Sequence, residues 1–167
     1  MIVEGSKGRS VEAWLIVKAA FFAALLPGMI AAGIPIWLGG GFERWPAVGT
    51  AQAAALVPIV IGWIIIAWPV VEFTRHGRAT IAPIDAPKVL VMQGLYRYMR
   101  NPMYVGAVLA NLGWALFFES RSVLIYALSV WLLHFAFVVL YEEPTLRRMF
   151  GQQYADYCAR VRRWGIA

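Results

Sequence analysis

Four stretches of this chain, residues 11–38, 51–73, 102–118 and 123–141, are apolar over lengths that cross a bilayer or nearly do. A span needs about 20 residues at roughly 1.5 Å rise each. With 61% of its residues apolar, the chain lies outside the range of soluble domains and inside the membrane class. Lipid gives backbone groups no water to bond, so such spans are expected as helices, and the alternation of a membrane barrel is absent. The expectation is an all-α integral membrane protein, a single domain over 1–167 with about four transmembrane helices. Pro27 and Pro35 interrupt the first stretch, and Pro58 and Pro69 the second, so kinks are expected there. The third stretch is short.

Charge sets an orientation. Lys7, Arg9 and Lys18 precede or begin the first stretch; Arg75, Arg78, Lys88, Arg97 and Arg100 lie between the second and third. Arg147, Arg148, Arg160, Arg162 and Arg163 follow the fourth. Thirteen of the 15 basic residues thus share one side, which the positive-inside rule makes cytoplasmic, with both termini. Tryptophans fit interfacial belts, Trp14 and Trp68 at the inner boundary and Trp37, Trp45 and Trp114 at the outer. The first stretch is too long for a signal-peptide core and reads as a retained span.

Several function classes drop out. Cys158 stands alone and His76 and His134 lie far apart, which speaks against a disulfide, a zinc site or haem. The net charge of +6 flanks apolar spans and so gives no reason to expect a nucleic-acid partner. Gly39-Gly40-Gly41 reads as an external turn, with no lysine or strand context for a phosphate loop.

What a purely spanning protein does not need is a pair of polar, motif-dense blocks at one face. The first is Gly94-Leu95-Tyr96-Arg97-Tyr98-Met99-Arg100-Asn101-Pro102-Met103-Tyr104-Val105-Gly106. Asparagine before proline is a helix start, an N-cap followed by the favoured first residue. It leaves the N–H groups of Met103 and Tyr104 without intrahelical partners, an arrangement that suits a carboxylate, or an ordinary cap at the interface. Tyr96, Tyr98 and Tyr104 are either rings for an adenine or a cation or belt tyrosines. Gly106, Ala110 and Gly113 form a small-residue stripe for close helix packing.

The second block is Glu142-Glu143-Pro144-Thr145-Leu146, with Phe150-Gly151 and Tyr154-Ala155-Asp156-Tyr157 behind it. Carboxylates at the end of a helix are disfavoured by its dipole. They call for a partner: a ribose diol, a ligand ammonium, or arginines such as Arg100 and Arg147. Leu146, Met149, Phe150, Tyr154 and Tyr157 recur at helical spacing, which predicts a C-terminal amphipathic helix on the membrane surface. His134, mid-span, is either a functional group or a hydrogen-bonded packing residue. Glu72 and His76 close the second span and are weaker candidates to flank a site.

Taken together, Gly-x-Tyr-x-x-x-Arg-Asn-Pro-x-Tyr-x-Gly at 94–106 and Glu-Glu-x-x-Leu-x-x-x-Phe-Gly-x-x-Tyr-x-x-Tyr at 142–157 resemble the isoprenylcysteine carboxyl methyltransferase family. That group is itself similar to the phospholipid N-methyltransferases. Pro83-Ile84-Asp85-Ala86-Pro87-Lys88-Val89-Leu90-Val91 looks like the lead-in segment of its bacterial members. The resemblance implies an S-adenosylmethionine-dependent methyltransferase in a bacterial inner membrane, its active site cytoplasmic and built in residues 74–165. Residues 11–73 supply the first two spans. Its partners would be the bilayer and a lipophilic methyl acceptor, with no nucleic acid and no metal. Carried over residue by residue, the cofactor meets Lys88, Val89, Leu90, Val91, Tyr96, Asn101, Pro102, Met103, Tyr104 and Glu142, with Glu142 and Tyr104 as catalytic candidates. Val138 stands where the prenylcysteine enzymes carry an arginine for the substrate carboxylate. This leaves prenylcysteine, a phospholipid amine and a small thiol all open as acceptors. A non-enzymatic transporter or structural subunit predicts polar residues along the spans; here they gather at one end.

Overall fold

The computed structural model describes residues 25–76 and 90–165, with the side chains of 70–76 excepted. The segment carrying Lys88 and Val89, the start of the first stretch with Trp14, and the side chains of Glu72 and His76 therefore lie outside the described residues. The fold is all-α: α1 (Leu25–Leu38), α2 (Thr50–His76), α3 (Pro102–Phe117), α4 (Arg121–Phe137) and α5 (Glu143–Arg160), with 3₁₀ turns at Gly41–Arg44 and Gly94–Arg97. Two helices are long and apolar enough to cross a membrane. These are α2 over Thr50–Pro69, and the helical run Arg121–Arg160 that α4 and α5 form together, of which α4 is the apolar, crossing part and which kinks at Gly151. At 16 residues, α3 is about 24 Å long, as short as its sequence predicts.

The α2–α3 contact is the closest in the bundle, and small residues make it possible. A Cβ on Gly62 would lie 2.6 Å from the Gly106 carbonyl oxygen, and one on Gly106 2.7 Å from that of Gly62. Ala110 is fully buried in the same contact. Gly113 faces Ile59, which a Cβ would meet at 2.6 Å. The stripe read from the sequence is thus a packing stripe. Asn111, fully buried on α3, bonds back to the Ala107 carbonyl at 2.8 Å.

Two π turns, Met29–Gly33 and Val138–Glu142, each end immediately before an X-Pro pair, Ile34-Pro35 and Glu143-Pro144. Proline removes one helical N–H and its ring crowds the preceding turn; widening that turn relieves the crowding and lets the helix continue. In α1 the Ala31 carbonyl, four residues before Pro35, is deprived of its usual donor. The Trp114 indole supplies one at 2.8 Å, and the Tyr126 hydroxyl bonds the neighbouring Ile30 carbonyl at 3.0 Å. Trp114 is therefore not an interfacial belt residue; it is buried, at 8% exposure, within an aromatic cluster with Trp45, Phe117 and Phe118.

The C-terminal helix also departs from expectation. At Gly151 the backbone leaves the helical region (φ 48°, ψ −122°), a conformation available to glycine, so the periodic apolar face does not form one flat stripe. Tyr154 and Tyr157 are instead buried against Leu90 and Val161, with Met92, Leu146 and Phe150 around them, while Met149 is exposed.

Candidate active site

The π turn at Val138–Glu142 delivers two adjacent carboxylates to different neighbours. Glu142 turns to α3, where the Tyr104 hydroxyl donates to its Oε2 at 3.1 Å. No partner for its Oε1 exists among the described residues. The Tyr104 ring is stacked on the His134 imidazole, with centroids 4.5 Å apart and planes 25° from parallel. His134 Nδ1 is buried without a hydrogen-bond partner among the described residues.

Glu143 faces the other way. Arg163 Nε and Nη2 donate to its two oxygens at 2.7 and 2.8 Å, and Arg100 Nη1 lies 3.1 Å from Oε1. Burial pushes the Glu143 carboxyl up, but the Arg163 hydrogen bonds and the charges of Arg100, Arg163 and Arg147 outweigh it and hold the group below its ordinary range. Glu143 is thus the ionised centre of an arginine clamp and has no open face for a ligand. The sequence reading named Arg100 among its partners but missed Arg163, twenty residues downstream, where no motif spacing announces it.

The clamp holds the chain's last described segment against the Gly94–Asn101 loop. Arg100 N–H donates to the Arg162 carbonyl at 2.9 Å, and Met99 bridges to Arg162. Asn101 Nδ2 donates to the Arg163 carbonyl at 3.2 Å. Asn101 stands at the expected N-cap position of α3, its carbonyl accepting from the Val105 N–H at 3.2 Å, but its side chain makes no cap bond to the helix; the amide secures the C-terminal segment instead. The first turn of α3 still opens with Pro102, so the N–H groups of Met103 and Tyr104 remain outside the intrahelical ladder. Gly94, at φ 58°, makes the tight turn that starts this loop. The Tyr157 hydroxyl donates to the Tyr96 carbonyl at 2.7 Å. Burial above all pushes that hydroxyl up to about 12, with Arg100 opposing, so it remains a donor at physiological pH.

Of the ten positions expected to meet the cofactor, eight are described. Tyr104 and Glu142 touch. Asn101, Pro102 and Met103 adjoin them in sequence at the head of α3. Leu90 is buried in the cluster below Tyr157, with Val91 beside it in sequence, and Tyr96 bonds Tyr157. Val138 is fully buried, so the position offers no cation to a carboxylate. Among the described residues no group of acids, histidines or cysteines is arranged to hold a metal. The chemistry of the site is a carboxylate with one oxygen unpaired among the described residues, an aromatic pair, and a helix N-terminus. A carboxylate beside aromatic rings suits a sulfonium cation, and free N–H groups suit a carboxylate, so the residues present fit S-adenosylmethionine.

The sequence pattern of the phospholipid methyltransferases matches residues 50–153. Protein-S-isoprenylcysteine O-methyltransferase A of Arabidopsis thaliana is 37% identical over 161 residues, covering 95% of this chain and 79% of that protein. The B enzyme of the same plant is 37% identical over 73 residues, 43% of this chain and 36% of its own length. A phosphatidylethanolamine N-methyltransferase of Arthroderma benhamiae is 35% identical over 68 residues, 41% of this chain but 7% of its own length. No solved structure gives a significant match. With the family pattern matching 104 of 167 positions, and a relative 37% identical along 95% of this chain, the chain belongs to the phospholipid methyltransferase family.

Proposed function

We propose that this protein is an S-adenosylmethionine-dependent methyltransferase acting on a lipophilic acceptor that enters from the bilayer. The observation that carries the reading is the Tyr104–Glu142 pair at the head of α3, built from the two motif blocks that sequence places 38 residues apart. S-adenosylmethionine supplies a methyl group already activated on sulfur, which leaves the protein to hold donor and acceptor in line and to exclude water. Glu142 would face the positive end of the cofactor, held in place by the Tyr104 hydroxyl. The first turn of α3 would receive its carboxylate, and Leu90, Val91 and Tyr96 would border the adenosine, with Lys88 and Val89 beside them. The positive-inside count supports a cytoplasmic face for this cluster.

Val138 bears on the acceptor. Its side chain is fully buried, and Arg100 and Arg163 are both committed to Glu143. Neither Val138 nor these two arginines offers a free cation to an acceptor carboxylate, which favours an amine or thiol over a prenylcysteine carboxylate. An amine must shed a proton before attack, and Glu142 is the nearest carboxylate to receive it.

Isothermal titration of the purified protein with S-adenosylhomocysteine tests the reading. Saturable binding at one site per chain, lost in Glu142→Ala while the near-UV circular dichroism is retained, is the expected result. Folded wild-type protein that binds no S-adenosylhomocysteine would sink it.

A further inference from the structure

Beyond the Tyr104–Glu142 pair the described residues form a second concavity. It is a cavity of about 500 Å³ lined by Arg100, Cys158 and the unbroken run 159–163, where the chain hooks back after α5. Four guanidinium groups belong to this lining: Arg100, Arg160, Arg162 and Arg163. Glu143 pairs with two of them, Arg100 and Arg163. Among the described residues no carboxylate pairs with Arg160 or Arg162; Arg160 Nε only donates to the backbone carbonyl of Asp156 at 3.2 Å. Against these four cations stand Glu143 and, one turn before Arg160, Asp156, which leaves a local surplus of two positive charges.

Arg160 and Arg162 are exposed, so an anion reaches them without displacing a protein carboxylate. The hook is nonetheless fixed in place by the Arg100 N–H to Arg162 carbonyl bond and by the Arg163–Glu143 fork. The backbone of the hook and the Arg100 and Arg163 side chains are therefore pre-organised, and Arg160 and Arg162 stand on that fixed frame. Arginines lining one concavity offer planar guanidinium groups that match the oxygens of a phosphate, which each can bind in a two-pronged manner. The pocket lies beyond the Gly151 kink, where α5 ends and the basic C-terminal segment begins.

We propose that the C-terminal hook binds a phosphate group in the pocket of Arg100, Arg160, Arg162 and Arg163. The phosphate belongs either to an anionic phospholipid of the same leaflet or to a soluble phosphate. Arg160 and Arg162 are its uncommitted ligands; Arg100 and Arg163 hold the wall through Glu143.

The test uses the full chain, delipidated in detergent, titrated calorimetrically with dioctanoyl phosphatidylglycerol, inorganic phosphate and dioctanoylglycerol. Phosphatidylglycerol should bind at one site per chain and weaken about tenfold or more in Arg160→Gln/Arg162→Gln, the loss expected for charge-assisted hydrogen bonds. Inorganic phosphate binding much more weakly, with the same dependence on the two arginines, assigns the site to a lipid. Comparable affinity assigns it to a soluble anion, and both results uphold the site. Near-UV circular dichroism reports folding. Arg162→Gln alone, at an exposed side chain, serves if the double variant does not fold. Binding of dioctanoylglycerol as tight as phosphatidylglycerol, no binding of either phosphate probe, or affinity unchanged in a folded variant would each overturn the proposal.

Discussion

The hydroxyl of Tyr104 donates to Glu142 across 38 residues of sequence and two helices, at 3.1 Å, while its ring lies flat on His134. One side chain thereby links the start of α3 to the π turn that ends the α4 span. Glu142 does not sit at an open helix C-terminus, because the π turn carries the helix on into α5; the pairing gives its part-buried carboxylate a hydrogen-bond donor. It also ties the geometry of Glu142 to a residue that sits at the head of α3, so the two are expected to act as a unit.

Cofactor affinity should reflect that coupling. Tyr104→Phe keeps the ring on His134 and removes one hydrogen bond, a change of about 0.5–1.5 kcal/mol, which is roughly a two- to tenfold loss in S-adenosylhomocysteine affinity. Glu142→Gln should weaken binding further by removing the charge. The double variant should lose less than the sum of the two, since each single change already breaks the same contact. Strict additivity in a calorimetric cycle would show that Tyr104 does not act through Glu142.

Glu143 should carry an acid-sensitive share of stability. Its carboxyl is held below the ordinary value of 4.5, so its contribution is complete above about pH 4.5. That contribution disappears as pH falls through the lower, folded value. Glu143→Gln should lower stability at pH 7, toward the lower end of the roughly 3–5 kcal/mol seen on breaking buried pairs, because Arg163 keeps 31% of its side chain exposed. The gap between wild type and variant in melting temperature should narrow between pH 5 and the onset of acid unfolding. A gap independent of pH would mean that the clamp is not ionic.

Much of this architecture is legible in the sequence, for a physical reason. Apolar runs declare spans without regard to what they pack against, and Asn101-Pro102 declares a helix start whatever Asn101 does with its amide. The stripe Gly106, Ala110 and Gly113 likewise predicts close packing without naming Gly62 and Ile59 as the neighbours. What the sequence withholds are long-range partners. Pro35 announces a defect in α1, but nothing local says that Trp114, 83 residues ahead of Ala31, will mend it. Trp114 accordingly reads as an interfacial residue when it is a buried donor. In the same way the two glutamates look equivalent until the π turn sends one to Tyr104 and the other to Arg163. Gly151 hides a kink inside an apparently regular amphipathic pattern.

The α2–α3 contact should tolerate no added methyl group. In Gly62→Ala the new Cβ would lie 2.6 Å from a backbone oxygen and 2.7 Å from a backbone nitrogen, neither of which can rotate away. Separation of the helices should cost about 1–3 kcal/mol or more, lowering the melting temperature and the yield of folded protein in detergent. Gly28→Ala is the control, since a Cβ there meets no described residue within 4 Å. Equal melting temperatures for the two variants would contradict the close approach.

Pro35 and Trp114 give a sharper test, because the structure makes one the reason for the other. Residue 35 ordinarily donates to the Ala31 carbonyl, and proline cannot. The Trp114 indole supplies the missing hydrogen bond at 2.8 Å from a buried position. Trp114→Phe retains a large ring in the aromatic cluster but strands a buried carbonyl, a loss of about 1–3 kcal/mol beyond any packing change. Pro35→Ala returns a backbone N–H to the helix and should let the π turn at Met29–Gly33 relax toward α-helix. In that background Ala31 has its own donor, so Trp114→Phe should destabilise by markedly less, and the melting-temperature cycle should show positive coupling between two residues 79 positions apart. If Trp114→Phe is equally harmful in both backgrounds, the indole matters for packing alone, and the π turn has some origin other than the proline that follows it.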